Sequence, residues 1–257
     1  MNKIKFLGTA GARFVVMKQL RASGGLWITL DDTNILIDPG PGSLVRCSSS
    51  RPKLNPRDLD GIILTHRHLD HSNDINVMIE AMSNGGFNKK GIVFAPKDAI
   101  EGDSVILKYV REYVKKIEIL KEGGKYTIGN VSFSTPVKHV HDVETYGLNI
   151  YGNDQSISLV TDTKYFDGLE SYYDGNILII NVVLFKEKES IKHLSIEDVE
   201  KMLYNNKPSL CVITHFGMTM LKKKPWEIAD SLSERTGVKV IAARDGMDLD
   251  IDQYKVA

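Results

Sequence analysis

Short runs of Ile, Val and Leu alternate along the chain with stretches in which apolar residues return every three or four positions. The runs at Ile35 to Ile37, Ile62 to Leu64, Ile92 to Phe94, Ile157 to Val160, Ile177 to Ile180, Leu210 to Ile213 and Val238 to Ile241 read as buried strands. Ser72 to Met82 and Val105 to Ile117 are periodic and flanked by Asn and Gly, which predicts helices there. Ser195-Ile-Glu-Asp198 has the form of a capping box opening a helix that runs to about Asn205. A further helix is bracketed by Pro225 at its start and Gly237 just past its end. The order of these elements fits sheets with helices packed outside them.

Nothing breaks the pattern into pieces. No linker, low-complexity tract or fixed-period repeat interrupts residues 1–257, and one domain is expected. At 257 residues and 42% hydrophobic, the chain can bury a large core. The opening Met1-Asn-Lys-Ile-Lys-Phe-Leu-Gly8 reads as a short strand entering a glycine turn, without the apolar stretch and cleavage site of a signal peptide. No later apolar run is long enough for a bilayer, so no membrane partner is expected and a cytoplasmic location is. Cys47 and Cys211 are isolated and outside any C-x-x-C knuckle, which suits reduced thiols. The 33 basic and 33 acidic residues cancel, so any nucleic-acid contact must be local.

Three strands end alike. Gly61-Ile-Ile-Leu-Thr-His66, Ile157-Ser-Leu-Val-Thr-Asp162 and Leu210-Cys-Val-Ile-Thr-His215 each pass from apolar residues through Thr to a metal-ligand type, as if delivering ligands to one rim. The densest signal is Thr65-His66-Arg67-His68-Leu69-Asp70-His71, at a strand-to-helix junction. His66 and His68, two apart in extended chain, project to one side. Asp70 and His71 follow where the helix begins, so the four groups can be shared between adjacent ions. Imidazole with carboxylate suits zinc, with manganese or iron also compatible, and disfavours calcium or magnesium. A lone histidine on an apolar face is usually a core residue; four potential ligands in six residues are not explained that way. Of the seven histidines, only His139 falls outside segments assigned to this site.

The H-x-H-x-D-H pattern resembles the defining motif of metallo-β-lactamase-fold hydrolases, with Leu36-Ile-Asp38-Pro-Gly40-Pro-Gly42 upstream and His141, Asp162 and His215 following in order. Phe6-Leu-Gly8-Thr9-Ala-Gly11, His141-Asp-Val-Glu-Thr-Tyr-Gly147 and His193-Leu-Ser195 look like the branch of ribonuclease Z and the cyclic phosphodiesterases. The resemblance implies a four-layer αββα sandwich, an α/β fold of two mixed sheets with helices on the outer faces. It chooses His141 over His139 and implies two divalent ions, one held by His66, His68 and His141, the other by Asp70, His71 and His215, with Asp162 between them. It further implies a phosphodiesterase in which a metal-bridging hydroxide attacks, with Asp70 and His193 acting in catalysis and His193 as general acid. Asp38 would orient a ligating histidine or shape the turn before Pro39.

Two features of the family are missing. The long arm with which ribonuclease Z grips transfer RNA is inserted between the positions of His141 and Asp162, where only a short hairpin fits; a second subunit could supply one, and a homodimer is compatible with the sequence. The cysteine-rich extra zinc site of the phosphonate-pathway enzyme cannot be built from two isolated cysteines. The expected substrate is a small phosphodiester or a short nucleic-acid end. The alternatives are an RNA-processing nuclease, a thioester, lactone or lactam hydrolase, and a non-enzymatic metal-binding protein. Whether Arg13, Arg21, Arg46, Arg67, Lys115-Lys116 or Lys222 to Lys224 meets substrate is left open by the sequence.

Overall fold

The computed structural model describes residues 1–254. Its first sheet is built from β1 (Lys3–Phe6), β2 (Leu26–Leu30), β3 (Thr33–Ile37), β4 (Gly61–Ile63), β5 (Ile92–Ala95) and β6 (Lys116–Ile119). The second contains β7 (Gly124–Ile128), β8 (Val131–Thr135), β9 (Leu148–Tyr151), β10 (Ser156–Val160), β11 (Ile177–Asn181), β12 (Leu210–Thr214) and β13 (Val240–Ala242). The chain then returns to the first sheet as β14 (Asp248–Asp250), beside β1. The helices are α1 (Ala12–Met17), α2 (Ser43–Ser49), α3 (Leu69–Ser72), α4 (Ile75–Met82), α5 (Ile196–Asn205), α6 (Met218–Leu221) and α7 (Pro225–Thr236).

Period-two alternation sorts the side chains into layers. Ile35 and Ile37 of β3, Ile177 and Ile179 of β11, and Leu210 and Val212 of β12 meet in a core between the two sheets. Their neighbours turn outward: Leu36 joins Ile75, Met78 and Ile79 of α4, while Leu178, Ile180, Cys211 and Ile213 join Val199 and Met202 of α5 and Leu232 of α7. The layers are therefore helix, sheet, sheet, helix, as expected. Strands covered on both faces must be apolar throughout, which is why the central ones stand out in the sequence. β3, β4, β5 and β6 run parallel, as do β10, β11, β12 and β13.

The Ser195 capping box is formed, with Asp198 closing it, and α7 starts at Pro225 and stops at Gly237 in a left-handed conformation. Only a β9–β10 hairpin lies between His141 and Asp162. Both cysteines are free and buried, and burial raises their thiol pKa values, Cys47 to about 12 with Asp74 adding to the effect.

Two helix assignments need correction. The helix expected over 72–82 is two, α3 and α4, broken where Asp74 turns to Pro39 O with its N–H and to Leu44 N with its carboxylate. The helix expected over 105–117 is absent: Tyr109–Tyr113 forms a 3-10 turn and Lys116 begins β6. The periodicity reflected real burial, since Ile106, Val110 and Val114 all enter the outer core. Yet Arg111 donates to the carbonyls of Ile100 and Ile106, and pairing of Lys116 with Ile92 pulls the end of the segment into the sheet. Tertiary pairing overrides the local preference there.

Candidate metal centre

The parallel strands end on one rim, and the chain leaves each with a functional side chain. Asp38 follows β3, His66 follows β4 by three residues, Asp162 follows β10, Asn181 ends β11 and His215 follows β12. Asp38 and His215 adopt left-handed backbone conformations, φ 52° and 60°, uncommon for residues with a Cβ and concentrated at functional sites.

Four groups of three side chains converge closely enough among the described residues to share an ion: His66 with His68 and His141, Asp70 with His71 and His215, Asp38 with His66 and His71, and His141 with Asp162 and His193. In the first, His141 Nε2 lies 3.1 Å from His68 Nδ1; in the second, His71 Nε2 lies 2.9 Å from His215 Nε2. Those separations are close to the distance of about 3.3 Å between ligands on a tetrahedral ion with bonds near 2.0 Å. Nε2 of His66 and Nδ1 of His215 are buried without a hydrogen-bond partner, a costly state for a polar atom that a metal ion would relieve for His66. A cavity of about 40 Å³ is bordered by Asp70, His71 and His215. On these grounds the donor set fits divalent ions.

Asp162 is central. Its Oδ2 stands 3.4 Å from His71 Nε2, 3.7 Å from His193 Nδ1, 3.8 Å from His66 Nε2 and 4.0 Å from His141 Nε2. Its other oxygen accepts a hydrogen bond from Asn181 Nδ2 at 2.9 Å. Asp38 plays a similar part for His71, its Oδ2 lying 2.8 Å from His71 Nδ1 while Thr65 holds the carboxylate through its N–H and hydroxyl. His141 is turned by Lys192 O, 3.1 Å from its Nδ1. His139 faces away, onto Tyr173 and the Asp162 carbonyl.

Electrostatics prepare the donors. Burial depresses the pKa of His66, His68 and His141, the last to about 4, so each offers a lone pair at neutral pH. Burial alone would raise Asp162, but His215, His193 and His71 hold it well below the usual carboxylate range. Asp70 is likewise held low by His71 and His215 against the pull of burial. For His71 burial works downward, and Asp162, Asp70 and Asp38 overcome it and keep the ring protonated in the metal-free chain.

His193 sits across from His141, ring centroids 5.1 Å apart, and keeps 17% of its side chain open to solvent. Its backbone is fixed by the bridge of Ser195 to Leu184 and by the α5 cap. Burial lowers its pKa.

The basic residues left open by the sequence are partly accounted for. Arg67 pairs with Asp98 at 3.2 Å, Lys116 with Glu118 and Lys224 with Glu227. Sequence reasoning missed Asn181, although Ile177-Leu-Ile-Ile-Asn181 is one more apolar strand ending in a polar side chain.

Residues 33–216 match the beta-lactamase superfamily domain. The chain belongs to the metallo-β-lactamase-fold superfamily. Among its relatives, an uncharacterized protein of Methanocaldococcus jannaschii, MJ1374, is 29% identical over 97% of this chain and 95% of its own. Ribonuclease Z of Clostridium novyi is 23% identical over 75% of this chain and 68% of its own length. Among solved structures, the metallo-β-lactamase-fold protein YhfI of Bacillus subtilis superposes with a TM-score of 0.80 at 19% identity, covering 96% of this chain and 98% of YhfI. Members of this superfamily are metal-dependent hydrolases, and among the described residues no helix is long and apolar enough to cross a membrane.

Proposed function

We propose that this chain is a two-metal phosphodiesterase acting on a small phosphodiester or a short nucleic-acid end. The observation that carries the reading is the convergence of two separate three-ligand groups on one carboxylate, Asp162. His66, His68 and His141 would hold one ion, Asp70, His71 and His215 the other, with Asp162 between them. Zinc best suits this mixture of imidazole and carboxylate. When bound, two such ions supply an activated water at neutral pH and offset the negative charge growing on the phosphoryl oxygens.

The chain's own residues do the rest. Asp38 and Asn181 fix His71 and Asp162 from behind, so that the ligand atoms face a common space. To hold an ion in the second site, His71 would have to give up the proton that the neighbouring carboxylates favour on its ring. His193 gives a proton to the leaving oxygen. His141, Asp162 and His193 also lie close enough to form a ligand group of their own. The ligand sets are complete without His193, and its partial exposure suits exchange of a proton with solvent, which favours the acid role.

The Clostridium novyi relative raises the RNA-processing alternative, whereas the short β9–β10 hairpin leaves no arm at the place where that family carries one. The substrate class is tested with a panel of bis(p-nitrophenyl) phosphate, cyclic nucleotides, a short RNA, a thioester and a lactone, each with and without chelator. Chelator-sensitive cleavage of phosphodiesters in preference to the carbonyl compounds supports the reading; preference for the thioester or lactone would replace it.

One expected outcome concerns Asp38. Asp38→Ala removes the only hydrogen-bond partner of His71 Nδ1 among the described residues. Metal affinity should fall roughly ten- to hundred-fold, the usual cost of losing such a partner. Equilibrium titration of the metal-stripped protein with zinc measures it, and unchanged affinity would assign Asp38 to the turn alone.

A further inference from the structure

His215 differs from His71 and His141 in what stands behind its ring: only the Asp162 carboxylate approaches, Oδ1 lying 3.5 Å from His215 Nδ1 without forming a hydrogen bond. His71 leans on Asp38 and His141 on Lys192 O, but His215 Nδ1 is buried without a hydrogen-bond partner. Histidines that bind metal are normally aimed by such a partner. Here backbone packing takes its place. Gly11 lies so close that a Cβ would come within 2.0 Å of His215 O and 2.5 Å of its Nδ1. Phe216 N donates to Thr9 O at 2.9 Å, and Gly11 N donates to Phe216 O at 3.0 Å, so residues 9–11 form a short ladder against the left-handed turn at His215.

That ladder is itself tied down from one point. Asp245 lies in the crossover from β13 to β14, distant in sequence from everything it touches. One carboxylate oxygen accepts from Thr9 N at 2.9 Å and Thr9 Oγ1 at 2.7 Å; the other accepts from Ala22 N at 2.7 Å. These bonds fasten both ends of the 9–22 loop. The turn carrying Asp245 is locked to β1, because Gly246 N donates to Phe6 O and Phe6 N to Met247 O.

We infer that Asp245 is a positioning residue for the metal centre: through Thr9 it holds the 9–11 ladder that aims His215, and it supports the Asp70–His71–His215 set selectively. The inference rests on the two-metal reading above. Thr9 lines the same small cavity as Asp70, His71 and His215, which puts the bonded residue beside the ligands it serves.

The test uses full-length, metal-stripped protein titrated with zinc by calorimetry, comparing wild type with Asp245→Ala, Thr9→Val and Asp60→Ala. Asp60 accepts from Asn34 N at 2.9 Å next to the start of β4 and serves as a control for simple loss of a backbone tie. Asp245→Ala should keep one site at wild-type affinity and weaken the other roughly ten- to hundred-fold. Thr9→Val, which deletes only the hydroxyl's bond, should shift the same site by less, and it carries the test if Asp245→Ala does not fold. Asp60→Ala should lower the melting temperature while leaving both sites unchanged. Two unaltered sites in the Asp245 and Thr9 variants, or equal weakening of both, would overturn the inference and leave the two-metal reading standing. A wild type that binds no metal would overturn both.

Discussion

Asp162→Ala is expected to lose bound metal and turnover together, with turnover falling at least roughly a thousand-fold, the equivalent of about 4 kcal/mol of transition-state stabilisation. The carboxylate lies within 4.0 Å of ring nitrogens from both ligand sets, so no other side chain can replace it without moving the strands that deliver them. Removing it also leaves His71 with two carboxylate neighbours instead of three. The charge that draws a second cation into the cluster is then reduced where it acts most strongly. Asp162→Asn separates charge from shape. It keeps the volume, and Asn181 can still approach, but the anionic bridge is gone. Elemental analysis alongside kinetics decides the matter: an Asp162→Ala protein that retains two ions and full activity would remove this residue from the bridging position.

His193→Ala should behave in the opposite way, keeping both metals and losing turnover. A general acid contributes about a hundred- to ten-thousand-fold, and the contribution grows as the leaving oxygen becomes more basic. The variant should therefore fail most severely with alkyl or ribose leaving groups and least with p-nitrophenolate, which departs without a proton. His193 lies 3.7 Å from Asp162, close enough to act at the centre and open enough to recover its proton from water. An equal loss across leaving groups would exclude the acid role. Loss of one metal would make His193 a ligand.

How much of this was legible in the sequence follows from where each interaction is encoded. The central strands announce themselves because both faces are covered, as at β11 and β12. β7 and β8 alternate exposed or half-buried residues with more buried ones and give no apolar run, so the chain pattern alone did not mark them. The ligands were legible because chemistry that needs four donors on adjacent ions places them within a few residues, from His66 to His71. What supports the ligands was harder to see. Asp38 was visible as a candidate only through its motif, and its choice of His71 required coordinates. Asn181 and Asp245 act on partners 19 and 236 residues away, so no local spacing reveals either one. The misplaced helix over 105–117 shows the same limit, since a helical rhythm of burial arose from a turn and an edge strand.

Whether the chain holds a two-metal centre is decided by the metal content of the purified protein, measured by elemental analysis, with bis(p-nitrophenyl) phosphate turnover followed before and after chelation. About two transition-metal ions per chain, chelator-sensitive turnover, and recovery when zinc is restored are expected. A chain that hydrolyses the diester equally well after its metal has been stripped, or that binds no transition metal at all, would contradict a two-metal centre.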